Sequence, residues 1–165
     1  MSQTVSLPCD NRTERRRVKS QAETAGTPQR VVVVGSYNTD MMIKAARLPR
    51  PGETVIGGTF ASGPGGKGAN QAVAASRAGA SVMFVARLGA DTFGDQAVLS
   101  LKNENVLVEH VVRDPAVPTG TAWIVVDDRG ENAIVVASGA NARLSVADVL
   151  RAKADIAGVI GRAHV

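Results

Sequence analysis

A chain of 165 residues, 44% of them hydrophobic, is long enough to bury a core and fits one globular domain rather than two. Aromatic side chains make up only 3%, so that core has to be built from small aliphatic residues packed close to backbone, a composition that suits an α/β fold. The net charge of +4 is concentrated in residues 1–30, which hold six basic groups against three acids; the basic run Arg15-Arg16-Arg17 has no aromatic residues interleaved to stack on bases, which argues against a nucleic-acid partner.

Residues 1–29 are polar, carry no hydrophobic period and include Pro8, Gly26 and Pro28, so they are expected to form a disordered basic tail. They contain the sole cysteine, Cys9, which excludes an intramolecular disulfide, and they lack the apolar stretch of a secretory signal. No run approaches the ~18 apolar residues of a membrane span. A soluble, cytoplasmic protein with no membrane partner is expected. The folded part, residues 30–165, opens with Val31-Val32-Val33-Val34, a β-branched run ended by Gly35 that reads as a strand buried on both faces.

From Met41 to Ser62 the pattern is more polar. Pro49, Pro51 and Gly52 form a turn between Met42-Ile43 and Thr54-Val55-Ile56, predicting two strands of a half-exposed antiparallel sheet. Gly63-Pro64-Gly65-Gly66 is expected to break all regular structure, and the alanine-rich stretch from Gly68 to Ala78, closed by Gly79, to form a helix. Ser81 to Leu88 reads as a second buried strand and Asp91 to Lys102 as a helix with Phe93, Ala97, Val98 and Leu101 on one face. This alternation implies parallel βαβ units. Val106 to Val112 is a further strand, and Thr121–Val126 and Ala133–Ala137 flank the turn Asp127-Asp128-Arg129-Gly130 as a hairpin. Ser145 is placed to cap a helix from Val146 to about Ile156.

Two clusters carry chemistry. In the first, Gly63-Pro64-Gly65-Gly66-Lys67-Gly68-Ala69-Asn70 stands directly before a helix, where glycines admit a ligand close to backbone N–H groups and the helix start favours anionic or oxygen-rich groups. A tight turn with no ligand is the plain structural alternative. A phosphate-binding Walker loop fails twice, because Ala61 and Gly68 stand where glycine and Ser or Thr are needed. A dinucleotide-binding domain remains an alternative, since Gly63, Gly65 and Gly68 have the Gly-x-Gly-x-x-Gly spacing and Asp91 lies near the place of a ribose-binding acid. Against it, the fingerprint does not follow the first buried strand. The second cluster is Asn38 with Asp40, just past that strand, where an amide and a carboxylate can recognise adjacent hydroxyls or merely form an Asx turn.

Taken together, Gly35-Ser36-x-Asn38-x-Asp40, Pro51-Gly52-Glu53-Thr54 and Gly65-Gly66-Lys67-Gly68-Ala69-Asn70-Gln71-Ala72 resemble the PfkB carbohydrate kinases, specifically the ribokinase branch. Leu88-Gly89-x-Asp91-x-x-Gly94, Thr119-Gly120 and Gly139-Ala140-Asn141 agree in order. The resemblance covers about residues 30–157 and implies a truncated three-layer α/β/α sheet with a small β-sheet lid, its strands at about 41–62 and 121–137. It further implies ATP-dependent phosphorylation of ribose or a related sugar. Asn38, Thr39 and Asp40 would hold sugar hydroxyls, while Gly65, Gly66, Lys67, Gly68, Ala69 and Asn70 would line the same pocket, with Lys67 toward the transferring phosphate. A homodimer through the lid strands is implied as well.

The chain also departs from that pattern. The Gly-Ala-Gly-Asp type segment that carries such a kinase's anion hole and catalytic base does not occur, and the main sites for ATP, Mg2+ and a monovalent cation such as K+ would lie beyond the matched part. After Asp155 an apolar strand bearing a sugar-contacting acid is expected, but the chain reads Gly158-Val159-Ile160-Gly161-Arg162-Ala163-His164-Val165, as from a frameshifted or prematurely ended reading frame. The chain alone is therefore expected to show no turnover, and a non-catalytic sugar-binding or lid-pairing remnant is the alternative function. His110 and His164 lack metal-ligand spacing to Cys, Asp or Glu, so no metal site is expected.

Overall fold

The computed structural model describes residues 29–159 and 161–164; the predicted tail, but for residue 29, lies outside the described residues. The elements run β1 (Arg30–Val34), β2 (Asn38–Lys44), β3 (Thr59–Gly65), α1 (Lys67–Arg77), β4 (Ser81–Gly89), α2 (Thr92–Asn103), β5 (Val106–Leu107), β6 (Val111–Asp114), β7 (Thr121–Val126) and β8 (Asn132–Ala137). A 3-10 turn at Gly139–Arg143, α3 (Val146–Arg151), α4 (Lys153–Ala157) and β9 (Gly161–His164) complete them. Among the described residues no helix is long and apolar enough to cross a membrane.

The main sheet has the order β5-β4-β1-β9, with β6 beside the end of β4, and every pairing in it is parallel. Successive side chains of a strand point to opposite faces, and β1 uses both. Val31 and Val33 pack toward α1 and α2 with Ala69, Ala72, Phe84, Ala97 and Leu101. Val32 and Val34 pack the other way, with Met83, Val85, Val149, Ala152 and Ile156. Helices thus cover both faces, giving the three-layer α/β/α arrangement that the resemblance implies.

The same alternation places Arg87 of β4 on the α3 side, among buried acids. Its guanidinium reaches Asp114 at 2.8 Å and Asp148 at 2.9 Å, both carboxylates being almost wholly buried. Asp148 also completes a capping box with Ser145 at the start of α3. One residue therefore ties the ends of β4 and β6 to a helix across the layer.

A second, four-stranded sheet has the order β3-β2-β7-β8, with β2 antiparallel to β3, parallel to β7, and β7 antiparallel to β8. Here the structure corrects the sequence reading. Thr54-Val55-Ile56 is not a strand; the partner of β2 is β3, which runs through the Gly63-Pro64-Gly65 expected to break regular structure. Pro64 is tolerated because β3 is an edge strand, where a missing N–H costs no ladder bond. The expected strand over Val106–Val112 is two short strands joined by a turn that the Val111 N–H closes on the Val108 carbonyl. The expected helix from Val146 to Ile156 is interrupted at Ala152, which is fully buried between α3 and α4, while Asp155 is anchored separately to Arg30 and His110. β9, which the sequence reading did not place, adds to the sheet beside β1.

Candidate functional site

The chain leaves β1 at the carboxyl end of the main sheet and enters β2 through Gly35-Ser36-Tyr37. The two clusters singled out in sequence meet here. Asn38 pairs with Gly65 and Asp40 with Gly63 across the β2–β3 ladder. Gly65 carries no side chain, and the Asp40 carboxylate occupies the space a β-carbon would take there. Gly66 follows at φ 91, a left-handed conformation that side chains disfavour, and a β-carbon on it would lie 2.8 Å from the Asn38 nitrogen.

The start of α1 closes the arrangement. Ala69 N–H donates to the Ser36 carbonyl at 3.1 Å and Asn70 N–H to Gly66 at 2.9 Å. The Lys67 and Gly68 N–H groups remain in the open first turn, without intrahelical acceptors. Lys67 itself is exposed and makes no ion pair among the described residues.

The expected residues contribute in different ways. Asn38 and Asp40 share one face of β2, and Asp40 lines a hollow of about 260 Å3 with Met42, Ala61, Ser62, Gly63 and Ile124. Burial pushes the Asp40 carboxyl above its ordinary value. Thr39 points to the opposite face and is buried; its N–H is committed to the Gly120 carbonyl at 2.9 Å. Ala69 is buried too. Asn70 is exposed and lines a separate groove of about 380 Å3 between α1 and α2, with Tyr37, Pro64, Val73 and Leu101. Asn38, Asp40, Gly65, Gly66 and Gly68 are thus gathered at one corner, with Asn70 one helical turn away.

Sequence reasoning missed two supports. Asp91, whose spacing was noted, caps α2 through the Gly94 N–H at 2.8 Å and grips Thr119 through its N–H at 2.8 Å and hydroxyl at 2.7 Å. Burial raises the Asp91 pKa, but these bonds outweigh it and hold the carboxyl below the usual range. The second is Asn141, whose amide bonds the backbone N–H and carbonyl of Tyr37 and the Asn38 side chain. The motif Gly139-Ala140-Asn141 was the available signal.

The sequence profile of the pfkB family carbohydrate kinases matches residues 28–160. The chain belongs to the pfkB carbohydrate kinase family. It is 44% identical over 135 residues to a ribokinase of Mus musculus, covering 82% of this chain and 41% of that protein. A ribokinase structure from Giardia lamblia superposes with a TM-score of 0.76 at 34% identity, over 84% of this chain and 42% of that one. An Arabidopsis thaliana ribokinase, solved in complex with ribose and ATP, gives a TM-score of 0.62 at 37% identity, over 70% of this chain and 38% of that one. The chain therefore spans about two fifths of the length of these pfkB relatives. In this chain the Gly-x-Gly-x-x-Gly spacing starts at the end of the edge strand β3 and not after the first buried strand, which removes the support for a dinucleotide fingerprint.

Proposed function

We propose that this chain forms the sugar-holding part of a ribokinase-type carbohydrate kinase, which transfers a phosphoryl group from ATP to a hydroxyl of ribose or a related sugar. The observation that carries the proposal is the placement of Asn38, Asp40 and two side-chain-free glycines at one corner, in front of an open helix start. The Asp40 carboxylate accepts hydrogen bonds from adjacent sugar hydroxyls, and Asn38 offers a neutral donor beside it. Gly65 leaves room for the Asp40 carboxylate and Gly66 for the close approach of the Ser36–Asn38 backbone, which together seat the carboxylate at the corner, and Asn70 would have to reach the sugar from the neighbouring groove. The ribose and ATP bound by the Arabidopsis relative support the substrate and the phosphoryl donor.

Phosphoryl transfer depends on positioning and on neutralising charge, and Lys67 is the free cation nearest the helix start. ATP, Mg2+ and a monovalent cation such as K+ belong to the complete enzyme. The catalytic base has no counterpart in the sequence. The chain alone holds sugar without turning it over. Residues 1–29 act as a basic tail, the second sheet acts as the lid and pairs with a second copy, and the protein works in the cytoplasm.

The test is calorimetric titration of the chain with D-ribose, 2-deoxy-D-ribose and D-fructose, with ADP release measured in parallel. Release is also measured after fusion to the remaining part of the mouse ribokinase. Sugar binding without ADP release by the chain, and release by the fusion, is the expected result. Failure of both forms with every sugar overturns the proposal.

A further inference from the structure

We infer that Asn141 is a positioning residue that fixes the direction of the Asn38 amide, so that Asn38 presents a hydrogen-bond donor, not an acceptor, beside Asp40. The inference rests on the proposed sugar site and names the device that gives it polarity.

The argument starts from backbone, whose donors and acceptors are unambiguous. The Tyr37 N–H donates to one atom of the Asn141 amide at 3.0 Å, and that atom must be oxygen. The Tyr37 carbonyl accepts from the other at 2.8 Å, and that atom must be nitrogen. Asn141 is therefore locked in one orientation by both backbone polar groups of one residue, 104 positions earlier in the chain. Its nitrogen has a second proton, which goes to the Asn38 side chain at 2.9 Å. The receiving atom can only be the Asn38 oxygen. The Asn38 NH2 is thereby turned away from Asn141, on the strand face that carries Asp40.

The supports around the pair act the same way. Gly120 packs directly on both amides, and a β-carbon there would meet each of them. The Gly120 carbonyl holds the Thr39 N–H, and Thr119 before it is gripped by Asp91. The amide direction at position 38 is thus set by a chain of bonds from the end of β4 and from the turn after β8. A carboxylate beside a fixed donor suits a vicinal diol, in which one hydroxyl donates to Asp40 and the next accepts from Asn38.

Two measurements on the full chain test this. In the first, the Asn38 side-chain amide signals of 15N-labelled protein are assigned by their loss in Asn38→Ala, then followed in Asn141→Ala and Asn141→Asp. The second variant keeps an acceptor for the Tyr37 N–H, so it serves where the alanine variant fails to fold. The expected result is a slowly exchanging, distinct pair in the parent chain that moves toward free-amide shifts in Asn141→Ala. In Asn141→Asp the pair gains nuclear Overhauser contacts to the new carboxylate side chain, because the amide turns over. An unchanged Asn38 amide in both variants overturns the inference, whatever the sugar data show.

In the second, D-ribose affinity is measured for Asn38→Ala, Asn141→Ala and the double variant. Each single change weakens binding about tenfold, and the double change no more than the weaker-binding single one, since the two act through one group. Losses that multiply, or an Asn141→Ala chain that binds ribose as well as its parent, overturn it. A parent chain that binds no sugar yet shows the amide released in the Asn141 variants supports the positioning role and removes the carbohydrate reading.

Discussion

The carboxylate of Asp40 rests on the α-carbon of Gly65, in the space that any side chain at position 65 would occupy. The backbone at Gly65 is not in the left-handed region, so alanine is conformationally allowed there and only the contact with Asp40 forbids it. Gly65→Ala is expected to displace the carboxylate and weaken ribose binding about tenfold or more. The melting temperature should move by only a few degrees, on the order of 1 kcal/mol. Calorimetric titration and thermal melts on the same samples separate the two effects. A variant that melts like its parent and binds ribose as tightly would sink the assignment of Asp40 to the sugar.

Asp40 costs stability at neutral pH, as the proposed sugar contact would require. Burial raises its pKa above the ordinary 3.8, so the folded chain holds this proton more tightly than the unfolded chain. Its contribution to stability accordingly falls as pH rises from 3.8 through the folded-state value, and stays at its lower level at neutral pH. Asp40→Asn removes that slope. It should melt above the parent at pH 7 while binding ribose at least about tenfold more weakly, because a charge-assisted acceptor is lost. Melting curves across the acid range, with and without ribose, check both signs.

Much of this corner is legible in sequence because backbone chemistry alone dictates it. A valine run ended by glycine forms a strand buried on both faces, and glycines before an alanine-rich segment let neighbouring backbone and the Asp40 carboxylate pack closely at a helix start. The register of β3 is not legible. Gly63, Pro64 and Gly65 have poor strand propensity, and they are held extended by the edge of a sheet whose other strands come from residues 38–44 and 121–137. Asn141 is hidden for a related reason: an amide next to Gly-Ala reads as a turn until the fold brings it to Tyr37. The break at Ala152 likewise reflects tertiary packing, since the local pattern favours one continuous helix.

Arg87 should be the most costly single position outside the site. Hydrogen bonds from the Ala116 N–H and from Arg87 hold the Asp114 carboxyl below its usual range. Asp148 is pushed up by burial, but its bonds with Ser145 and Arg87 more than reverse this. Replacement of Arg87 by methionine leaves two buried carboxylates, with Arg143 and Arg151 as their remaining cationic partners. Removal of one partner of a buried ion pair is strongly destabilising, and the melting temperature should fall by roughly 10 °C or more. Both acids have lowered folded-state values. Their stabilisation is present above 3.8 and is lost as pH falls through those values, so Arg87→Met should also unfold at a higher pH during acid titration. A variant with the parent's acid midpoint contradicts the network.

The lid pairing makes a prediction that the sole tryptophan can report. Register places Ile43 opposite Phe60 and Trp123 opposite Val135, and alternation puts all four on the sheet face turned away from Asp40. They are 36%, 59%, 50% and 71% exposed, a contiguous apolar surface of the kind that marks a binding partner. On the proposed assignment the Asp40 face holds the sugar, so the opposite face is the one proposed for a second copy. Trp123 emission should shift to the blue as protein concentration rises, together with dimer formation in sedimentation velocity. Phe60→Asp should weaken that association by about tenfold or more while leaving ribose affinity unchanged. A chain that stays monomeric with constant emission into the high micromolar range does not pair through its lid.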